Sequence, residues 1–276
     1  MSLSSTLKDN DSKDISQMNI KTNLKKEYPS NPFEVLKDLI NLNKNQKIKL
    51  LISSIIIILF GIFNNIQILK NPSPTNNCYN DIILDWTLPL SNYFRRNDFY
   101  RFIMTIAGSI LLDTIFIVNC TYWAIYAIDW CFAANLFFFY FFRWIVQQII
   151  TLRCPDLIYF KYPNFPSIVV GYAPTNDFFF SGHCGFPILA MMEFFWLKKY
   201  FLAGLCSFVT IFEAFLLINS NGHYTIDMII GVIFAHYISI QGKIWMNKIY
   251  GYSNFLNGLK MENIKELKLI NVEMYY

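Results

Sequence analysis

Hydrophobic residues gather in long runs along this chain, separated by polar connections. Residues 1–48 are polar, rich in Lys, Asp, Asn and Ser, and read as a solvated tail with a helix near Phe33–Leu42. The tail lacks the basic-then-apolar start of a cleavable signal peptide. The first apolar run covers 49–69, which suffices for a bilayer crossing of roughly 20 residues. Residues 70–101 turn polar and read as a connection. The next stretch, 102–152, is too long for one crossing and splits into two near Tyr122–Asp129. A proline-bearing connection at 153–180 precedes three further runs, 183–197, 200–219 and 224–241. Lys198-Lys199 and Asn219-Ser220-Asn221-Gly222 separate them, and a polar tail follows from 246.

The pattern predicts an all-α fold, a polytopic membrane protein with six transmembrane helices in one bundle. Its parts are a polar N-terminal cytosolic tail (1–48), a membrane domain (49–245) and a polar C-terminal cytosolic tail (246–276). Six crossings put both tails on one side, and Lys37, Lys44, Lys47 and Lys49 favour a cytosolic N-terminus. Trp86, Trp196 and Trp245 fall near the ends of runs, where interfacial tryptophans collect.

Composition agrees. The chain is 54% hydrophobic and only 15% charged, against about 25% charged in ordinary soluble domains. An aromatic share of 18% argues against overall disorder. The net charge of +4 is not organised as a basic stripe, so no nucleic-acid partner is expected. The cysteines form neither C-x-x-C pairs nor zinc-type spacings. Most lie in apolar runs and read as buried thiols, while Cys78 and Cys154 fall in polar connections where a disulfide is conceivable.

Candidate chemistry concentrates in two segments: Asp177-Phe-Phe-Phe-Ser181-Gly182-His183 and Gly222-His223-Tyr224-Thr225-Ile226-Asp227. Two apolar runs separate His183 from His223, and two crossings return a chain to its starting side. Both histidines therefore share one membrane face, opposite the tails. His223 and Asp227, four apart at a helix start, lie one turn apart on one face. A carboxylate there can fix the imidazole tautomer and raise the basicity of the other nitrogen. Ser181 suits an N-cap, Gly182 allows close backbone approach, and the free amides of such a helix start attract an anion. Paired histidines beside an anion site suit phosphoryl transfer, whereas His236 has no evident partner and reads as structural. Arg143 divides between a phosphate contact and an ion pair with Asp113, Asp129 or Glu213.

With these residues in view, FFFSGH and HYTID resemble the signature motifs of the sphingomyelin synthase-like lipid phosphotransferases, within the type-2 phosphatidic acid phosphatase superfamily. GHYTIDMIIGV is also similar to phosphatidylcholine:diacylglycerol cholinephosphotransferases. The resemblance implies a catalytic triad of His183, His223 and Asp227. Tyr140-Phe141-Phe142-Arg143 resembles a further family element, with Phe where its second Tyr stands. Asp177, Ser181, Gly182, Arg143 and Tyr224 are the candidate substrate-binding residues.

The resemblance implies transfer of phosphocholine or phosphoethanolamine from a glycerophospholipid to ceramide or diacylglycerol through a phosphohistidine. It implies no cofactor and no metal. It points to the Golgi, the endoplasmic reticulum or the plasma membrane, with the site on the lumenal or exoplasmic face. Alternatives are a lipid phosphate phosphatase or a non-catalytic lipid-binding relative. The phosphatases add cations through K-x6-R-P and S-R-x5-H motifs. Here K-x6-R-P is absent, and Leu217 stands where the second motif has arginine.

Overall fold

The computed structural model describes residues 32–68, 80–127, 129–150, 152, 155, 160, 162–171 and 178–256. The described residues form helices and connections, with no strand among them. Chain contacts divide into two units, residues 1–42 and 43–276. The first contains α1 (Pro32–Ile40), which opens on a proline whose fixed φ suits a first helical position. The second holds α2 (Lys44–Ile68), α3 (Ile82–Arg96), α4 (Asp98–Tyr126), α5 (Cys131–Ile149), α6 (Gly182–Trp196), α7 (Tyr200–Asn219) and α8 (Thr225–Leu256).

Helix ends follow local chemistry. Asn43 and Gln46 form a reciprocal capping box, each side-chain oxygen accepting the other's backbone N–H at 2.9 Å, and so start α2. The long apolar stretch breaks between Tyr126 and Cys131, at the far end of the region expected from Tyr122–Asp129. There Asp129 Oδ1 accepts the Cys131 amide at 3.1 Å and nucleates α5. The α6–α7 and α7–α8 turns are tight, and each closes with a Schellman pattern. In the first, Lys198 has φ 57°, its N–H reaches Phe195 O at 2.9 Å, and Lys199 N–H reaches Phe194 O at 2.8 Å. In the second, Asn221 has φ 52°, its N–H reaches Ile218 O at 3.1 Å, and Gly222 N–H reaches Leu217 O at 2.8 Å. Both turns use residues that tolerate the left-handed region imperfectly, in place of glycine.

The core of the second unit lies between α4, α5, α6, α7 and α8. Leu112, Phe116, Phe139, Phe186, Phe194 and Val209 are all essentially fully buried there. Phe116 meets Phe186 edge-on at 5.3 Å, and Phe139 meets Phe180 at 5.1 Å. Small residues let α6 and α8 approach. A Cβ on Gly231 would overlap the Ser181 carbonyl, and one on Gly185 would sit 2.9 Å from the Gly231 carbonyl. This close contact seats the start of α6 against the first turns of α8.

Among the described residues, three helices, Asp98–Tyr126, Tyr200–Asn219 and Thr225–Ile249, are long and apolar enough to cross a membrane. α6, with 15 residues, is about 22 Å long, short of a hydrocarbon core of about 30 Å. α8 continues to Leu256, past the expected end of the last apolar run at 241.

The segment expected to be a polar connection holds α3. Its inner face carries Leu84, Thr87, Ser91 and Phe94, while Ile82, Trp86, Leu90 and Tyr93 point outward, Trp86 being 77% exposed. A soluble amphipathic helix would turn its apolar stripe inward; this one presents it to the surroundings, as suits a lipid environment. Cys120, Cys131, Cys184 and Cys206 are buried free thiols, as expected, whereas Cys78 and Cys154 lie outside the described residues.

The close α6–α8 contact yields a stability test. Gly231→Ala should cost about 1–3 kcal/mol, because the added methyl group meets backbone that cannot rotate away. A lowered thermal midpoint of the purified protein in detergent is the expected result.

Candidate active site

The fold brings His183, His223 and Asp227 together. His183 is the second residue of α6, and His223 lies in the turn before α8, whose first turn carries Asp227. The imidazole centroids are 5.7 Å apart with an interplanar angle of 63°. All three side chains are buried: His183 is 8% exposed, His223 3% and Asp227 0%. The two histidines thus lie side by side where the starts of α6 and α8 meet.

Asp227 organises the corner. Its Oδ2 lies 3.1 Å from His223 Nδ1 and accepts the Tyr224 backbone N–H at 3.0 Å. Its Oδ1 accepts the Phe179 N–H at 2.7 Å. Its backbone carbonyl accepts the Ser181 N–H at 3.0 Å. An Nδ1–H donated to that carboxylate leaves Nε2 of His223 with its lone pair. The same bonds hold Phe179 at φ 79°, a conformation that costs a bulky residue roughly 1–3 kcal/mol and persists where surroundings over-determine it. The strain lies in the FFFSGH segment and brings Phe180 and Ser181 up to α6.

His183 differs from His223 in its bonding. Among the described residues neither of its ring nitrogens has a hydrogen-bond partner, although the side chain is buried. Its ring packs against Phe160 at 5.8 Å as well as against His223. A buried imidazole with both nitrogens unengaged is costly unless a ligand meets it.

Ser181 occupies the N-cap of α6, yet its side chain makes no capping bond. Gly182 lies against Arg143: a Cβ there would sit 3.5 Å from the guanidinium carbon and 3.6 Å from the Tyr140 ring. Arg143 Nε donates to the Phe180 carbonyl at 3.0 Å, and the guanidinium lies over Tyr140 at 5.9 Å. Of the acids considered as its partners, Asp113 accepts the Ser167 hydroxyl at 2.9 Å and the Val169 amide at 3.0 Å. Asp129 pairs with Lys243 at 2.7 Å. Glu213 is buried against Gly108. Tyr224 is buried with Leu152 and Phe178, and Phe178 meets the His223 ring at 5.8 Å. Asp177 lies outside the described residues.

Asp81 is one of an acidic pair, with Asp85, in the segment read as a connection, and the sequence pattern assigns it no role. It caps α3 and also accepts the Thr225 N–H at 2.6 Å and the Thr225 hydroxyl at 3.0 Å. An aspartate before an apolar run is a readable N-cap signal. Its contact with a residue 144 positions away is not. Ser91 adds a second link, donating to Asn221 Oδ1 at 3.2 Å.

Residues 175–241 match the family described as PAP2 superfamily C-terminal, a span that takes in His183, His223, Asp227 and most of α6–α8. No curated protein and no solved structure gives a significant match. The family match supports the type-2 phosphatidic acid phosphatase superfamily. The matched span is about a quarter of the chain, and the long apolar helices support an integral membrane protein.

The Asp227 contacts predict a tautomer. In Asp227→Asn the amide must turn its NH2 toward His223 or toward a backbone N–H, so Nδ1 loses its fixed acceptor. Nitrogen-15 spectra of labelled imidazoles should show His223 held as the Nδ1–H form in the parent and as a mixture in the variant.

Proposed function

We propose that this chain is a six-span membrane phosphotransferase that moves a phosphocholine or phosphoethanolamine headgroup between lipids. α2, α5 and α6 would complete the crossings begun by the three long apolar helices. The observation that carries the proposal is the buried pair of imidazoles 5.7 Å apart, one oriented by Asp227 and the other with both nitrogens unengaged among the described residues.

His223 Nε2 attacks the phosphorus of the donor, forming a P–N bond as the bond to the diacylglycerol oxygen breaks. His183 gives its proton to that oxygen. Diacylglycerol leaves, and the acceptor hydroxyl of ceramide or another diacylglycerol takes its place. That hydroxyl loses its proton to His183 while its oxygen attacks phosphorus, and the P–N bond breaks. Asp227 holds Nδ1–H throughout and stabilises the positive charge on His223. Arg143 and the first amides of α6, at Gly182, would receive the phosphate oxygens, with Ser181, Tyr224 and Asp177 shaping the site. The site would face the lumen or the exterior, opposite both tails.

Charge supports a diester donor over a monoester. Leu217, at the position of the phosphatase arginine, is fully buried beside Cys184 and Met228, so no cation stands there. A second phosphate charge without a partner in a dry pocket costs several kcal/mol. The purified protein should therefore transfer label from phosphatidylcholine or phosphatidylethanolamine to ceramide or diacylglycerol faster than it releases phosphate from phosphatidic acid. Faster release from phosphatidic acid would replace this reading with the phosphatase one. At equal folded amounts, His223→Ala should abolish transfer, and His183→Ala should lower it about 10²–10⁴-fold.

A further inference from the structure

We propose that Asp81 is a positioning residue for this reaction: its one carboxylate clamps the first turns of α3 and α8 together and thereby sets His223 on Asp227. The inference rests on the roles given above to those two residues.

The carboxylate serves four donors. Oδ1 accepts the Ile83 N–H at 3.1 Å, the Leu84 N–H at 3.5 Å and the Thr225 hydroxyl at 3.0 Å. Oδ2 accepts the Thr225 N–H at 2.6 Å. The first four peptide N–H groups of a helix have no acceptor within it, and the helix dipole favours a negative charge beside them. Asp81 answers this need for two helices at once. A side chain at the N-cap serves the second or third amide of its helix, not the first. The residue at the N-cap position is Tyr224, whose side chain packs with Leu152 and Phe178. The acceptor for the first amide of α8 therefore comes from a distant part of the chain.

Thr225 stands two residues after His223 and two before Asp227. The turn that carries His223 is thus fixed on three sides. The Schellman closure at Asn221–Gly222 holds it from α7, Asp227 holds Tyr224 N–H from within α8, and Asp81 holds Thr225 from α3. Ser91, nearly three turns along α3 from Asp81, reaches Asn221 on the same turn. Release of the Thr225 amide lets the start of α8 unwind, and the His223–Asp227 contact spans that first turn. Asp81 touches neither histidine, so it acts through orientation alone.

The test uses the full-length protein in detergent or vesicles, at equal folded amounts, with whichever lipid the parent turns over. Asp81→Ala should lower kcat about 10²-fold, the usual cost of misplacing a catalytic group by about 1 Å, with KM for the donor within about 2-fold. Asp81→Asn keeps one acceptor oxygen but sets NH2 against a Thr225 donor, and should fall between parent and Asp81→Ala. On an Asp227→Asn background, Asp81→Ala should add less than about 3-fold, because both changes act on the same imidazole. A purely structural cap would give multiplied losses instead. Should Asp81→Ala fold poorly, Asp81→Asn and the double variant carry the same comparison. Unchanged kcat in Asp81→Asn, a loss confined to KM, or full multiplication with Asp227→Asn would each overturn the proposal. A parent that only releases phosphate would overturn the transfer reading and leave the Asp81 ratios intact.

Discussion

One buried carboxylate organises the functional end of this molecule. Asp227 has no exposure, yet its oxygens meet His223 Nδ1 and the amides of Phe179 and Tyr224, while its own carbonyl takes the Ser181 amide. An ionisable group is expensive inside an apolar bundle unless its lone pairs are used, and here the donors come from both histidine-bearing segments. The carboxylate orients one imidazole and, through Phe179 and Ser181, delivers the segment that carries the other. The absence of a side chain at Gly231 lets the two segments approach closely enough for this to happen.

A second polar cluster lies about 24 Å along α8 from Asp227, by helix rise. There Lys243 pairs with Asp129 at 2.7 Å, and Lys49 donates to the Ala127 and Asp129 carbonyls at 2.7 and 3.0 Å beside the Trp123 and Trp130 rings. These contacts join α2, the α4–α5 corner and α8. The middle of α8, between the clusters, is packed through Met228 and Ala235. Helix register is thus pinned by charge at each end and by packing between, so a displaced α8 would disturb both ends.

Much of this was legible in the sequence for physical reasons. Long apolar runs mark buried or lipid-facing helices, so α6 and α7 began and ended within a residue of expectation, and the break before Cys131 was foreseen. His183 and His223 stood out because each opens an apolar run within a polar, glycine-bearing segment. α3 was not legible, because its apolar residues face outward and are interleaved with Asp85, Thr87, Pro89 and Ser91 in a way that reads as a loop. Arg143 was ambiguous because an arginine in an apolar helix only advertises a need for partners. Its donation to the Phe180 carbonyl depends on tertiary approach. Asp81 and Thr225 meet for the same kind of reason, and no local pattern links them.

The central claim is that His223 carries the headgroup between donor and acceptor. Its most direct test is a single-turnover reaction of the purified protein with headgroup-labelled phosphatidylcholine or phosphatidylethanolamine, acceptor withheld, followed by peptide mapping under alkaline conditions. The account predicts one acid-labile label, on His223, appearing with an equivalent of released diacylglycerol. Label on His183 instead, or efficient transfer to added acceptor with no label ever found on the protein, would contradict it.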